Sequence, residues 1–174
     1  TPNGFKTGKG NAYDTPLRDK THGRIYRIAY KDAPKSKIPD LSKGTKAELI
    51  EALKSDNMLW RTTAQRLIVE SQMKDLVPEL CNLGHSQSVD EIGLNPAAIH
   101  ALWTLKGLGA LDSADSEALQ VALADLKHPS SGVRRAAVMV LPANEKSANA
   151  LLSNNLLQDK DAQVRLATLL ALCE

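Results

Sequence analysis

The chain has 174 residues, 43% of them apolar and 24% charged, and it carries a formal net charge of +2. That length suits one well-buried core or a short repeat array with a tail. Aromatic residues make up only 3%, which argues against a β-sandwich core and against a base-stacking nucleic-acid surface, since both depend on aromatic side chains.

The charge is unevenly spread. Residues 1–46 hold eleven Lys or Arg against four Asp or Glu, a balance of +7, and residues 47–174 hold eleven against sixteen, a balance of −5. The sequence therefore divides into a basic tail, 1–44, and an acidic remainder, 45–174. In the tail, GFKTGKGN at 4–11 invites a phosphate-loop reading. Its glycines are spaced by three residues rather than four, no Ser or Thr follows the Gly-Lys, and no apolar strand precedes it, so a flexible turn is the better reading. Within THGRIYRIAYK, residues 24–30 alternate as a strand would, with Arg24, Tyr26, Ile28 and Tyr30 on one side. A lone strand leaves its backbone groups unpaired. It is expected to be a piece of a larger sheet, extended and either paired with residues near Asn11–Asp14 or packed along the first helices, with Ile25, Tyr26 and Ile28 as a cover. Pro34 and Pro39 make 31–44 an extended linker.

From residue 45 the apolar residues recur at helical spacing. The sets are Leu49, Ile50 and Leu53; Trp60, Ala64, Leu67 and Ile68; Leu76, Val77, Leu80 and Leu83; and Ile99, Leu102 and Trp103. They continue with Leu119, Ala122, Leu123 and Leu126; Val133, Ala136, Ala137 and Val140; Ala148, Leu151 and Leu152; and Val164, Ala167 and Leu170. Asp56-Asn57, Gly84, Asn95-Pro96, Pro129-Ser130, Pro142 and Asp159–Asp161 supply the caps and stops between them. Eight helices follow, with one longer polar loop, GHSQSVDEIGLN, at 84–95.

The helices pair, and the pairs repeat. SDNMLWRTTAQRL, GLNPAAIHALWTL, HPSSGVRRAAVMVL and DKDAQVRLATLLAL align so that Arg61, His100, Arg134 and Arg165 share a register, at intervals of 39, 34 and 31 residues. Asp161 stands four residues before Arg165, and Asp56 lies just upstream of Arg61, so ion pairs at the helix starts are expected. Trp60 and Trp103 fall on the apolar stripes, where large aromatics are ordinarily buried anchors between neighbouring repeats. DKDAQVRLA and HPSSGVRRAA resemble the second helix of HEAT repeats. The resemblance implies an all-α fold, a short right-handed α-solenoid of about four degenerate helix pairs.

RDKTHGRIYRI, WRTTAQRL and HALWTLKGLGAL extend the likeness. They are similar to the junction between the C-terminal end of a β-propeller and a HEAT-like region in large membrane-bound dehydrogenase-like proteins of planctomycetes, verrucomicrobia and Bacteroidetes. In that family the propeller resembles quinone-dependent sugar dehydrogenases, and a haem-binding cytochrome c segment often follows. The resemblance implies that 1–44 is the remnant of a propeller, that the chain's partner is the adjacent propeller or another protein subunit, and that the setting is periplasmic or cell-surface.

Nothing in the sequence assembles a catalytic, cofactor or metal site. Cys81 and Cys173 form no CxxC or CxxCH. His22, His85, His100 and His128 have no companions at metal-ligand spacing, and no Ser/His/Asp or Cys/His constellation can be built from sequence spacing. The expected function is a non-catalytic scaffold or protein-interaction module, with no cofactor and no metal. Two alternatives are a nucleic-acid-binding helical repeat, opposed by the acidic balance of 47–174, and a fragment contributing to a sugar-oxidising enzyme.

Overall fold

The computed structural model describes residues 39–113 and 116–173, together with Thr21, Gly23, Ile25, Tyr26, Ile28, Tyr30, Lys31 and Asp32. Arg24, Arg27 and Ala29 lie outside the described residues, as do GFKTGKGN and residues 11–14. The chain divides between Lys37 and Ile38. No strand occurs among the described residues. Ile25, Tyr26, Ile28 and Tyr30 are exposed.

The described residues from Leu41 onward form eight α-helices: α1 Lys46–Ala52, α2 Met58–Glu70, α3 Val77–Gly84, α4 Pro96–Gly107, α5 Glu117–Ala124, α6 Ser131–Val140, α7 Glu145–Ser153 and α8 Ala162–Ala171. Most starts are fixed by a capping side chain that accepts an otherwise orphaned N–H. Thr45 and Glu48 form a reciprocal capping box on α1. Asn57, Asn95, Ser116, Asn144 and Asp161 cap α2, α4, α5, α7 and α8. Pro96 stands at the first position of α4, where no N–H is needed. Single 3-10 turns at Leu41–Lys43, Lys74–Leu76, Asp125–Lys127 and Leu156–Gln158 join or extend the helices.

The even-numbered helices pack in succession, α2 on α4, α4 on α6 and α6 on α8. The odd-numbered helices pack beside them, α1 on α2, α3 on α4 and α5 on both α3 and α6; α7 meets the Leu156–Gln158 turn, which in turn meets α8. One continuous apolar core runs between, including Leu49, Leu53, Ile68, Leu80, Leu102, Leu105, Leu119, Leu126, Leu151 and Val164. Two residues of the expected stripes stay out of it. Leu152 is 55% and Leu170 58% exposed, because a helix packed on part of its circumference leaves the remaining apolar positions in water.

Glycine sets the closest approaches. A Cβ on Gly107 of α4 would lie 2.7 Å from Val69 Cγ2 of α2, and one on Gly84 of α3 would lie 2.5 Å from Val121 Cγ1 of α5. Val121 is fully buried and has nowhere to move. Gly84→Ala is therefore expected to lower stability by about 1–3 kcal/mol through overpacking. A thermal melt at the wild-type midpoint would show that α3 and α5 are not in this contact.

Candidate interaction site

Three features of the helical unit carry chemistry: a row of arginines at the helix starts, a buried polar group beside the 84–95 loop, and an open groove across α4, α6, α7 and α8.

Arg61, Arg134 and Arg165 each stand four residues after their N-caps, Asn57, Ser130 and Asp161. Each turns back to donate from Nη1 to the backbone carbonyl six residues earlier: Arg61 to Ser55 at 2.5 Å, Arg134 to His128 at 2.8 Å and Arg165 to Asp159 at 2.7 Å. The guanidinium thus satisfies the turn that feeds its own helix. Arg134 does more. Its Nε and Nη2 grip Asp159 of the following pair at 2.7 and 2.8 Å, with both side chains below one-tenth exposure. The bond to Arg134 holds the Asp159 carboxyl below the usual carboxylate range.

The expected Asp161–Arg165 pair is replaced by other bonds. The Asp161 carboxylate accepts from the N–H groups of Gln163 and Val164, so its capping role orients it along the helix start, while Arg165 reaches back to Asp159 and Lys160 carbonyls. Arg61 likewise bonds the Ser55 carbonyl and makes no ion pair with Asp56. His100 stands five residues after Asn95, one further than the arginines from their caps, so Ile99 occupies the arginine position of α4. His100 instead joins α4 to α2 through Nδ1 and Gln65 Oε1 at 2.7 Å. Burial, with the nearby Arg61 charge, pushes its pKa down.

A buried polar group that the spacing gave no sign of lies where α5 meets α6. Asp125 is 1% exposed, and neither carboxylate oxygen has a hydrogen-bond partner. Burial pushes its pKa up to about 7. His128 is fully buried, and its Nδ1 accepts from the Ser130 N–H at 2.9 Å. That leaves the proton on Nε2, which donates to the Ser86 carbonyl at 3.0 Å. Ser130 Oγ is buried without a partner. The only sequence signal for this group is an acid inside the apolar run VALADL.

The groove runs across α4, α6, α7 and α8 and has a volume of about 830 Å³. Trp103, Lys106, Arg135, Met139, Leu166 and Leu170 line it. Trp103 is half-buried rather than a sealed anchor. Lys106 Nζ lies 5.5 Å from its ring centroid and donates to the Met139 carbonyl at 2.6 Å, a cation–π contact locked by a hydrogen bond. Trp60 is also only partly buried. Met139, Leu166 and Leu170 are 46%, 50% and 58% exposed. Arg135 is exposed beside them. No Asp, Glu, His or Cys lines the groove, and its Lys106 amine is engaged by the Met139 carbonyl.

Among the described residues no group of three or more His, Cys, Asp or Glu is placed to hold a metal ion, and no helix is long and apolar enough to cross a membrane. Comparison with known proteins found no matching family model, no matching curated relative and no matching solved structure.

Two measurements follow from this geometry. Asp159→Ala leaves the Arg134 guanidinium buried with no counter-charge and should cost on the order of 3 kcal/mol. The double variant Arg134→Met with Asp159→Leu should recover much of that loss; equal losses for single and double would show that the ion pair is not the source. For Asp125, the folded pKa lies above the unfolded value. Its stabilising contribution is therefore complete below about pH 4 and lost as pH rises through about 7. Asp125→Asn should be insensitive over that window, so the stability difference between variant and wild type should widen by a few kcal/mol from pH 4 to 8. Parallel pH profiles would place the Asp125 carboxylate in contact with water.

Proposed function

We propose that residues 45–174 form a short α-solenoid of four degenerate HEAT-like helix pairs and act as a non-catalytic protein-interaction module within a larger dehydrogenase-like protein. The observation that carries this reading is the groove. It combines exposed Met139, Leu166 and Leu170 with the cationic Arg135 and the half-buried Trp103, the mixture of apolar anchors and Arg that protein interfaces favour. The succession of even-numbered helices supports the solenoid, since each pair would cover its neighbour's apolar face and keep flanking domains at a fixed separation. The partner is the adjacent β-propeller or another subunit, in a periplasmic or cell-surface setting, as the sequence resemblance implies.

A contribution to sugar oxidation by this chain is the second reading, and the lining of the groove speaks against it. Nucleic-acid binding is opposed by the balance of −5 over residues 47–174.

A domain encoded immediately before this chain, where its gene has one, is the probe of choice. Mixing the two should shift Trp103 fluorescence, which sits in the groove, and Leu166→Glu with Leu170→Glu should weaken the association at least tenfold while leaving the helical signal intact. Unchanged fluorescence and separate elution of the two proteins would overturn the reading. Titration with quinone, haem or nucleotide should give no saturable binding; micromolar affinity for any of them would favour the enzymatic alternative.

A further inference from the structure

We propose that the cavity beside Arg61 is a receptor for a single carboxylate presented by another molecule. Two arginines at equivalent positions, both outside the groove, differ in what they bond. Arg134 and Arg61 occupy the same position relative to their N-caps, and both anchor Nη1 on the carbonyl six residues back. In the third pair, the remaining edge of the guanidinium, Nε and Nη2, is filled by Asp159, which stands two residues before the Asp161 cap of α8. In the second pair the residue two before the Asn95 cap of α4 is Gly93, which has no side chain to offer.

Arg61 consequently lacks its carboxylate. Its Nε is buried with no partner, and no hydrogen bond reaches its Nη2. An ionised donor left unpaired inside a protein is costly, and such groups mark places where an ion belongs. A cavity of about 490 Å³ opens at this point, between the 54–56 turn and the end of the 84–95 loop, with Arg61 in its wall. Neither acid near the missing position fills it: Glu91 is exposed and makes no bond to Arg61, and Asp90 Oδ1 accepts from the N–H groups of Ile92 and Leu94.

The lining also sets the ligand's charge. Lys54 is engaged by Glu51, which leaves Arg61 as the cation without a counter-charge in a lining that also holds Asp56 and Asp90. One carboxylate fits that field; a phosphate dianion or a polyphosphate chain meets two carboxylates of its own sign. Leu94, Pro96 and Ala97 give the cavity an apolar side, which suits the carbon skeleton behind a carboxylate. A guanidinium already oriented by Ser55 loses little freedom on pairing.

The test uses the whole chain and three probes: sodium acetate, the blocked peptide acetyl-Gly-Asp-Gly-amide, and inorganic phosphate, each against sodium chloride at equal ionic strength. The readout is the Nε–H resonance of each arginine. Acetate should move Arg61 saturably and leave Arg134, whose edge Asp159 already fills, in place. Binding of the peptide at least tenfold tighter than acetate assigns the site to acidic protein side chains; acetate equal to or tighter than the peptide assigns it to a free small carboxylate. Arg61→Lys, which keeps the charge and removes the fork, should weaken either ligand at least tenfold. No movement of Arg61, an equal response to chloride, parallel movement of Arg134, or tighter binding of phosphate than of either carboxylate would each overturn the proposal. The wild-type resonances decide the matter even if Arg61→Lys fails to fold.

Discussion

The clasp between Arg134 and Asp159 is the contact on which the C-terminal half of the helical unit depends. One guanidinium bonds two carbonyls of its own incoming turn, His128 and Pro129, and both oxygens of a carboxylate from the next turn. Asp159 in turn accepts from the Asp161 N–H, which positions the residue that caps α8. The start of α6, the turn after α7 and the start of α8 are therefore one bonded unit. Because both charges are nearly sealed from water, each needs the other: removing one partner strands a buried charge, whereas replacing both by apolar residues costs less.

The second pair lacks this device and is built differently. With Ile99 where an arginine would stand, nothing on α4 reaches back to the incoming loop. Asn95 takes over: its carboxamide oxygen caps the Ala98 N–H, and its Nδ2 donates to the Ser86 and Ser88 carbonyls at 2.9 Å. His128 from the third pair adds the bond to the Ser86 carbonyl. The 84–95 loop is thus pinned from both sides by neutral groups, and it can be longer than the other turns because it does not have to present a carboxylate to its neighbour. The unpartnered edge of Arg61 has a separate cause, Gly93 at the place that Asp159 holds before α8.

The helices were legible in the sequence because two local signals agree. Apolar spacing of three and four residues gives the faces, and Asn57, Asn95 and Asp161 mark starts that the backbone uses. The arginine row was legible as well, but its phase was not. Aligning strings by residue type put His100 with Arg61, whereas the cap sets the phase of a helix and puts Ile99 there. The Asp161–Arg165 pair failed for a related reason: spacing says that two side chains share a face, but not that a capping carboxylate is already engaged. Trp60, Trp103, Leu152 and Leu170 lie on apolar stripes yet remain partly or largely exposed, since the stripe shows which face is apolar and tertiary neighbours decide how much of it is covered. Asp125 left almost no trace, because burial of a lone acid is a property of its surroundings.

Comparison of α6 with α8 shows how the exposed surface arises. Shifting α6 by the 31-residue interval aligns Arg134 with Arg165, Arg135 with Leu166, Val138 with Leu169 and Met139 with Leu170. Val138 is 2% exposed and Leu169 54%, so equivalent positions have opposite environments. Where α6 presents Arg135 to water, α8 presents Leu166, the reverse of what solubility alone would select. Each leucine left in water forgoes roughly 1–2 kcal/mol of the stabilisation that full burial would give. Apolar residues clustered in this way, next to an exposed arginine, fit the contact surface proposed above.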